Sequence, residues 1–171
     1  MIRHACHAAL AAQCFPVIAV LGSNSSLINQ QLTGLPVSVA LNAQWSEGIA
    51  SSIRCGVEAL SNFANDIAAV LLMLADQPLI TSLQLDRLKR MFDVSGSPIV
   101  ASEYHVGGQF VRGVPAIFTI DLFPELLQLR GDKGAQRLIE KYEAAASFVS
   151  ISEAAIDIDT PHDLARVQAR I

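Results

Sequence analysis

A chain of 171 residues with 51% hydrophobic content and a net charge of −4 can bury a substantial core as one domain, and it is too apolar for a disordered tail. Its 12 Lys and Arg residues are scattered rather than gathered in a stripe, which argues against nucleic acid as a partner. A mean hydropathy of +0.39 raises the question of a membrane span, but no segment holds ~18 consecutive apolar residues, so no membrane is expected.

The chain opens on the alanine-rich Ile2–Ala12, which reads as a helix rather than a signal peptide because it lacks a continuous apolar run and a cleavage site. His4 and His7 are spaced i,i+3, but no second half of a zinc site accompanies them, and they read as ordinary surface or core histidines. Cys6, Cys14 and Cys55 form no CxxC pair. Their number and apolar settings fit buried thiols in a reducing cytoplasm. Phe15–Leu21 is expected as a buried strand ending at Gly22. Ser23, Asn24 and Ser25 offer caps for a short helix to about Leu32. The turn Gly34-Leu35-Pro36 leads into a strand over Val37–Leu41. Asn42–Gly56, NAQWSEGIASSIRCG, starts as a loop with Trp45 and Gly48 and becomes a helix to about Leu60. It has two readings. One is a helix N-terminus whose free N–H groups meet an anion or a base edge, with Gly48 allowing close approach. The other is an ordinary loop–helix junction anchored by Trp45.

Ile67–Thr81, IAAVLLMLADQPLIT, organises the rest. The apolar run Ala68–Ala75 predicts a central parallel strand buried on both faces. It stops at Asp76, and Pro78 bars a further ladder bond. Asp76 thus either begins a turn or stands at the crest where ligands bind in open α/β sheets. Thr81 and Gln84 form a capping box for a helix over Leu83–Phe92. Ile99–Ser102 reads as a short strand, Glu103–Pro115 as a glycine-rich loop or ribbon, and Ala116–Phe118 as extended chain again. Asp121 is a cap for a helix over Leu122–Leu129. Arg130–Gly134, RGDKG, is either a solvated polar turn or a place where Lys133 meets a phosphate. A helix over Ala135–Ala144 and an edge strand over Phe148–Ile151 follow. Last, IDIDTPHDL over Ile156–Leu164 puts Asp157 and Asp159 on one face of an extended segment, then Thr160, Pro161 and Asp163 as a helix start. The alternation of β and α segments predicts a three-layer sandwich, a mostly parallel sheet with helices on both faces.

The loop NAQWSEGIASSIRCG, the strand end LLMLADQPLIT and the corner DIDTPHDL, with RGVPAIF and LRGDKGAQ between them, together resemble the MobA-like NTP transferases. Within that family the likeness is closest to the molybdenum cofactor cytidylyltransferase branch. The resemblance implies a Rossmann-like nucleotidyltransferase fold. It implies attack by a phosphorylated acceptor on the α-phosphorus of an NTP, with pyrophosphate leaving. CTP is favoured over GTP, and a molybdopterin-type molecule is the acceptor. Mg²⁺ would be held by Asp76 and by Asp159, with Asp157 as second choice. Asp76 and Asp159 would be the catalytic pair. Gly48, Ser51 and Ser52 match the nucleotide-recognition loop. Gly113 and Pro115 would line the acceptor side, and Lys133 would meet the acceptor phosphate. A molybdenum hydroxylase is the implied protein partner.

The sequence departs from the family at its start. Family members begin with a strand and a glycine-rich loop of the type LAAGxSxRMGxxK, whose amides, Arg and Lys hold the triphosphate. Here Met1 falls where the following helix begins. The expectation is therefore one transferase domain over residues 1–171, N-terminally truncated by roughly 30 residues, with two apolar strand edges exposed where the first strand would lie. Those edges would be covered by a shifted strand or by a second copy in a homo-oligomer. The same departure supports an alternative function: a catalytically impaired nucleotide- or pterin-binding remnant acting as a maturation partner of a molybdenum enzyme.

Overall fold

The computed structural model describes residues 1–63 and 67–157. Its helices are α1 (Ile2–Ala11), α2 (Ser25–Gln30), α3 (Ile49–Leu60), α4 (Ser82–Ser95), α5 (Phe123–Leu126) and α6 (Gln136–Lys141). Its strands are β1 (Ile18–Leu21), β2 (Ser38–Leu41), β3 (Ala69–Leu72), β4 (Ile99–Val106), β5 (Gln109–Thr119) and β6 (Ser147–Ser150). The layers follow from the period-2 alternation of the strands. Ile99, Ala101, Ala116 and Phe118 face a core shared with Ala50 and Val57 of α3, Leu126 of α5 and Leu138 of α6. Their neighbours Val100, Ile117 and Val149 face the opposite core, with Ala8 and Ala9 of α1 and Leu85 and Leu88 of α4. A helix layer thus covers each face, as the alternating pattern predicts.

The strands form two sheets. One is the parallel pair β1-β2; the other runs β3-β5-β4-β6. β5 is antiparallel to both β3 and β4, and β4 is parallel to β6. β3, β4 and β6 therefore share one direction and β5 alone in this sheet opposes it. Among the described residues β1 and β3 pair with no common strand, so the expected gap is present. The ribbon foreseen over Glu103–Pro115 is the long β4–β5 hairpin, closed by Gly107 and Gly108, both at positive φ. The capping box at Thr81 and Gln84 is formed. It launches a helix one turn longer than expected, which stops at Gly96 in the left-handed conformation.

Three expectations are corrected. β3 is not buried on both faces: all four of its residues are half-buried, because one edge opens on the gap rather than on a neighbouring strand. Asp121 caps no helix; it lies inside a 3₁₀ turn over Ile120–Leu122, and α5 starts at Phe123 with no side-chain cap. Of the cysteines only Cys6 is buried; Cys14 and Cys55 are half-buried, and all three are free thiols. Ala64, Asn65 and Asp66, and the expected helix start at Thr160–Asp163, lie outside the described residues. Among those described, no helix is long and apolar enough to cross a membrane.

Phe118 is fully buried between β5 and the α3/α5/α6 layer. Phe118→Ala is expected to cost about 3–5 kcal/mol, measured as a fall in the urea midpoint with an unchanged slope.

Candidate functional site

β5 carries a bulge. Ala101 pairs with Ala116, but Ser102 pairs with Gly113, so Val114 and Pro115 have no opposite residues on β4. Proline suits that place because it has no N–H to offer a ladder. The carbonyls that the bulge releases are met by side chains. Ser102, fully buried, donates its Oγ–H to the Pro115 carbonyl at 2.6 Å. Gln77, 3% exposed, turns its Nε2 toward the Val114 carbonyl at 3.4 Å and donates to the Ala154 carbonyl at 3.0 Å.

Gln77 immediately follows Asp76, which sits half-buried in the turn beyond β3. Ala154 lies in the 3₁₀ turn Ser152–Ala155, three residues before Asp157. One side chain thus joins the Asp76 turn, the β5 bulge and the segment leading to Asp157. A second tie lies a few residues away. Gln84 accepts the Thr81 N–H at 3.0 Å with its carbonyl oxygen and donates its amide to Glu153 Oε1 at 2.8 Å. Burial pushes the Glu153 carboxyl up. The hydrogen bonds from its own backbone, Gln84 and Ser152, with the charge of Arg87, outweigh that and hold it below its ordinary value of 4.5.

Asp157 is exposed and its charge reaches Tyr104. The Tyr104 hydroxyl is pushed above its ordinary 10.0, first by burial and second by Asp157. That hydroxyl overlies Gly113, where an added Cβ would stand 2.9 Å from it. Asp76, Asp157, Gly113 and Tyr104 therefore belong to one end of the sheet. Asp159 lies outside the described residues. Pro115 is fully buried, so its part is to shape the bulge while Gly113 borders the open cleft.

The loop before α3 forms the other wall. Gly48 caps α3 with φ 100°, a conformation that favours glycine. A Cβ there would fall 2.1 Å from Asp132 Oδ1 and 2.9 Å from the Gly131 carbonyl. The RGDKG turn thus docks on the start of α3, and the Ala50 N–H donates to the Gly131 carbonyl at 3.1 Å. Asn42, buried, donates to Ser51 Oγ at 2.8 Å and Ser52 Oγ at 3.1 Å and accepts the Gln44 N–H at 2.9 Å. Ser51 in turn donates to the Gly48 carbonyl at 2.9 Å. Its hydroxyl is spent on holding the loop, whereas Ser52 is half-buried on the cleft. Lys133 is exposed on the same cleft and, among the described residues, enters no ion pair. Arg54 and Arg112 are committed elsewhere. Arg54 donates to the Leu129 carbonyl and Glu47, both at 2.7 Å. Arg112 pairs with Glu103 and Glu143 over the Phe148 ring. His4 meets the Ile80 carbonyl at 3.1 Å, an ordinary packing role.

Asn42, Gln77, Ser102 and Tyr104 are the residues that the sequence pattern did not single out. Asn42 and Gln77 do lie inside two of the quoted motifs, NAQWSEGIASSIRCG and LLMLADQPLIT, so an amide within each motif was the available signal.

A sequence model of the family described as "MobA-like NTP transferase domain" matches residues 1–146. The chain is 26% identical over 175 residues to the nicotine blue oxidoreductase of Paenarthrobacter nicotinovorans, covering 98% of this chain and 82% of that one. Among solved structures it is similar to Rv0371c from Mycobacterium tuberculosis H37Rv, with TM-score 0.74, 25% identity, and coverage of 99% of this chain and 85% of that one. A complex of Rv0371c with manganese is similar too, with TM-score 0.72, 24% identity, and coverage of 96% and 85%.

Gly48→Ala is expected to push the Gly131–Asp132 turn off α3 and to cost about 1–3 kcal/mol, read as a lower Tm together with faster hydrogen exchange at Ala50. Glu153 contributes stability that is complete above its ordinary value of 4.5 and fades as pH falls through the lower folded value. The Tm difference between the protein and Glu153→Gln is accordingly expected to be largest near neutrality and to shrink in acid.

Proposed function

The chain belongs to the MobA-like NTP transferase family, and from that premise we propose that it transfers a nucleoside monophosphate from an NTP, CTP in preference to GTP, to the phosphate of a molybdopterin-type acceptor. The observation that supports this most is the pair of hydrogen bonds from Gln77 to the Val114 and Ala154 carbonyls. They draw the Asp76 turn toward the segment that carries the second carboxylate. The same reading takes residues 1–171 as one transferase domain and a molybdenum hydroxylase as the protein that receives the product.

The donor chemistry fits a divalent cation. Mg²⁺ takes one or two carboxylates and fills its remaining positions with phosphate oxygens and water. Among the described residues no group of three or more His, Cys, Asp or Glu gathers to hold a metal, so the ligands proposed are Asp76 with Asp159, or with Asp157. When bound, the ion supplies polarisation of the α-phosphate and offsets charge on the leaving pyrophosphate.

The chain's own residues do the rest. The N-terminal turn of α3, opened by Gly48, offers the Ser52 hydroxyl to the nucleotide, since its Ala50 and Ser51 N–H groups are bonded to the Gly131 and Gly48 carbonyls. Ser51 and Asn42 keep that turn in shape. Gly113 makes room for the Tyr104 hydroxyl, which would line the acceptor side with it, and Pro115 holds the bulge that sets that wall. Lys133 offers a mobile point charge to the acceptor phosphate.

A second reading, binding of a nucleotide or pterin without turnover as a maturation partner of a molybdenum enzyme, is supported by the break between β1 and β3, which share no strand among the described residues. The relative from Paenarthrobacter nicotinovorans carries an oxidoreductase name, so family membership leaves the reaction to be assayed.

The test is pyrophosphate release from CTP and from GTP with a molybdopterin acceptor, in Mg²⁺ and in Mn²⁺. Release is expected with CTP, and Asp76→Asn is expected to lower it about 10²–10³-fold with little change in Tm. Tight CTP binding with no pyrophosphate would instead establish the second reading.

A further inference from the structure

Gln77 and Gln84 both belong to the stretch that begins at Asp76, and both reach the 3₁₀ turn Ser152–Ala155. That turn is thinly bonded within itself. The Ala154 N–H donates to the Ile151 carbonyl at 3.1 Å and the Ile156 N–H to the Glu153 carbonyl at 3.4 Å. Short 3₁₀ pieces have poorer hydrogen-bond geometry than an α-helix, so the course of the chain from β6 to Asp157 depends on what holds the turn from outside. Ile151 is fixed on β4, where its N–H donates to the Glu103 carbonyl at 3.0 Å. Arg87 of α4 donates to the Ser150 carbonyl at 2.8 Å, and Gln77 takes the Ala154 carbonyl. Between them, Glu153 is held by Gln84 and by its neighbour Ser152.

Gln84 does more than close a capping box. A glutamate at this position would satisfy the Thr81 N–H as well as a glutamine does, but only the amide also carries a donor. Its orientation is fixed by its partners. The Thr81 N–H and hydroxyl, at 3.0 and 2.7 Å, need an acceptor, so Oε1 faces them and Nε2 faces Glu153 Oε1 at 2.8 Å. Gln84 is 5% exposed and Glu153 is half-buried. A glutamate in place of Gln84 would keep the cap yet set two carboxylates face to face with little water to screen them. The amide at this position therefore serves the Glu153 contact and not helix capping alone.

We propose that Gln84 is a positioning residue for the divalent cation: through Glu153 it sets the course of the chain into Asp157, and so the approach of the second carboxylate to Asp76. The inference rests on the reading of Asp76 with Asp159, or with Asp157, as the ligands. Gln84 itself touches neither cation nor nucleotide. One end of its amide holds the backbone of Thr81, on the stretch that follows Asp76, and the other holds the turn that leads to Asp157. Groups that orient metal ligands from behind typically change metal affinity about 10–100-fold when lost.

The test is Mn²⁺ binding by the full chain without nucleotide, followed by loss of the free-ion electron paramagnetic resonance signal. Asp76→Asn marks the binding that belongs to this site. Gln84→Glu is expected to weaken that binding about 10-fold, and Glu153→Ala, which puts no charge in the core, to weaken it equally. The double variant Gln84→Glu with Glu153→Gln exchanges donor and acceptor and is expected to restore the original affinity. Thr81→Ala removes the cap hydroxyl but leaves the Glu153 contact. It is expected to lower Tm by about 3 °C with Mn²⁺ affinity unchanged. Three results overturn the proposal: unchanged affinity in Gln84→Glu or Glu153→Ala, a double variant that stays weak, or equal weakening by Thr81→Ala. Absence of Asp76-dependent Mn²⁺ binding in the unaltered chain overturns it together with the ligand assignment. Because no nucleotide is present, failed pyrophosphate release alongside the expected Mn²⁺ pattern counts against the transfer reaction alone.

Discussion

β5 is the strand on which the rest of the structure depends. It is 11 residues long and pairs along both edges, with β3 on one side and β4 on the other. Buried backbone groups must find partners, and β5 answers that demand for the centre of the larger sheet. It also breaks the rule locally, at Val114 and Pro115, where the ladder skips. The two released carbonyls are met by Ser102 and Gln77. Because Gln77 reaches from the turn beyond β3, satisfying the bulge and positioning Asp76 are the same physical event. The Ala154 carbonyl on the same side chain extends that event to the approach of Asp157.

The second wall obeys a different constraint, close approach of backbones. Gly48 and the Gly131–Asp132 turn touch where no Cβ fits. The contact brings the RGDKG turn, and with it Lys133, to the start of α3. Around this junction most polar groups are spent on structure: Asn42 on two serines, Ser51 on the Gly48 carbonyl, Arg54 on Leu129 and Glu47. Such spending makes a rigid frame and leaves Lys133 exposed at the cleft. In the proposed reaction that exposed charge would meet the acceptor phosphate, since lysine binds phosphates as a point charge on a flexible stem.

Fold and chemistry are separable here, as elsewhere. The chain matches a family of NTP transferases and is also similar to a protein named as an oxidoreductase, so the frame by itself does not name the reaction.

The amino-acid sequence alone determined the order of the elements, the three layers and the family, because apolar periodicity, caps and short motifs are local properties. Thr81 with Gln84 announced α4, and ADQP with DIDTP announced the family. It also foretold the break beside β3. The tertiary structure decided the rest. Burial of Ala69–Leu72 depends on what lies beside the strand, so an apolar run that reads as central is only half-buried next to an open slot. The antiparallel course of β5 depends on a hairpin that glycine-rich sequence announced only as a loop or ribbon. The work of Gln77, Asn42 and Ser102 depends on carbonyls far away in the chain, 77 residues away in the case of Gln77 and Ala154. A hydrogen bond of that span leaves no periodicity in the sequence, because its partners are neighbours only after the sheet has formed.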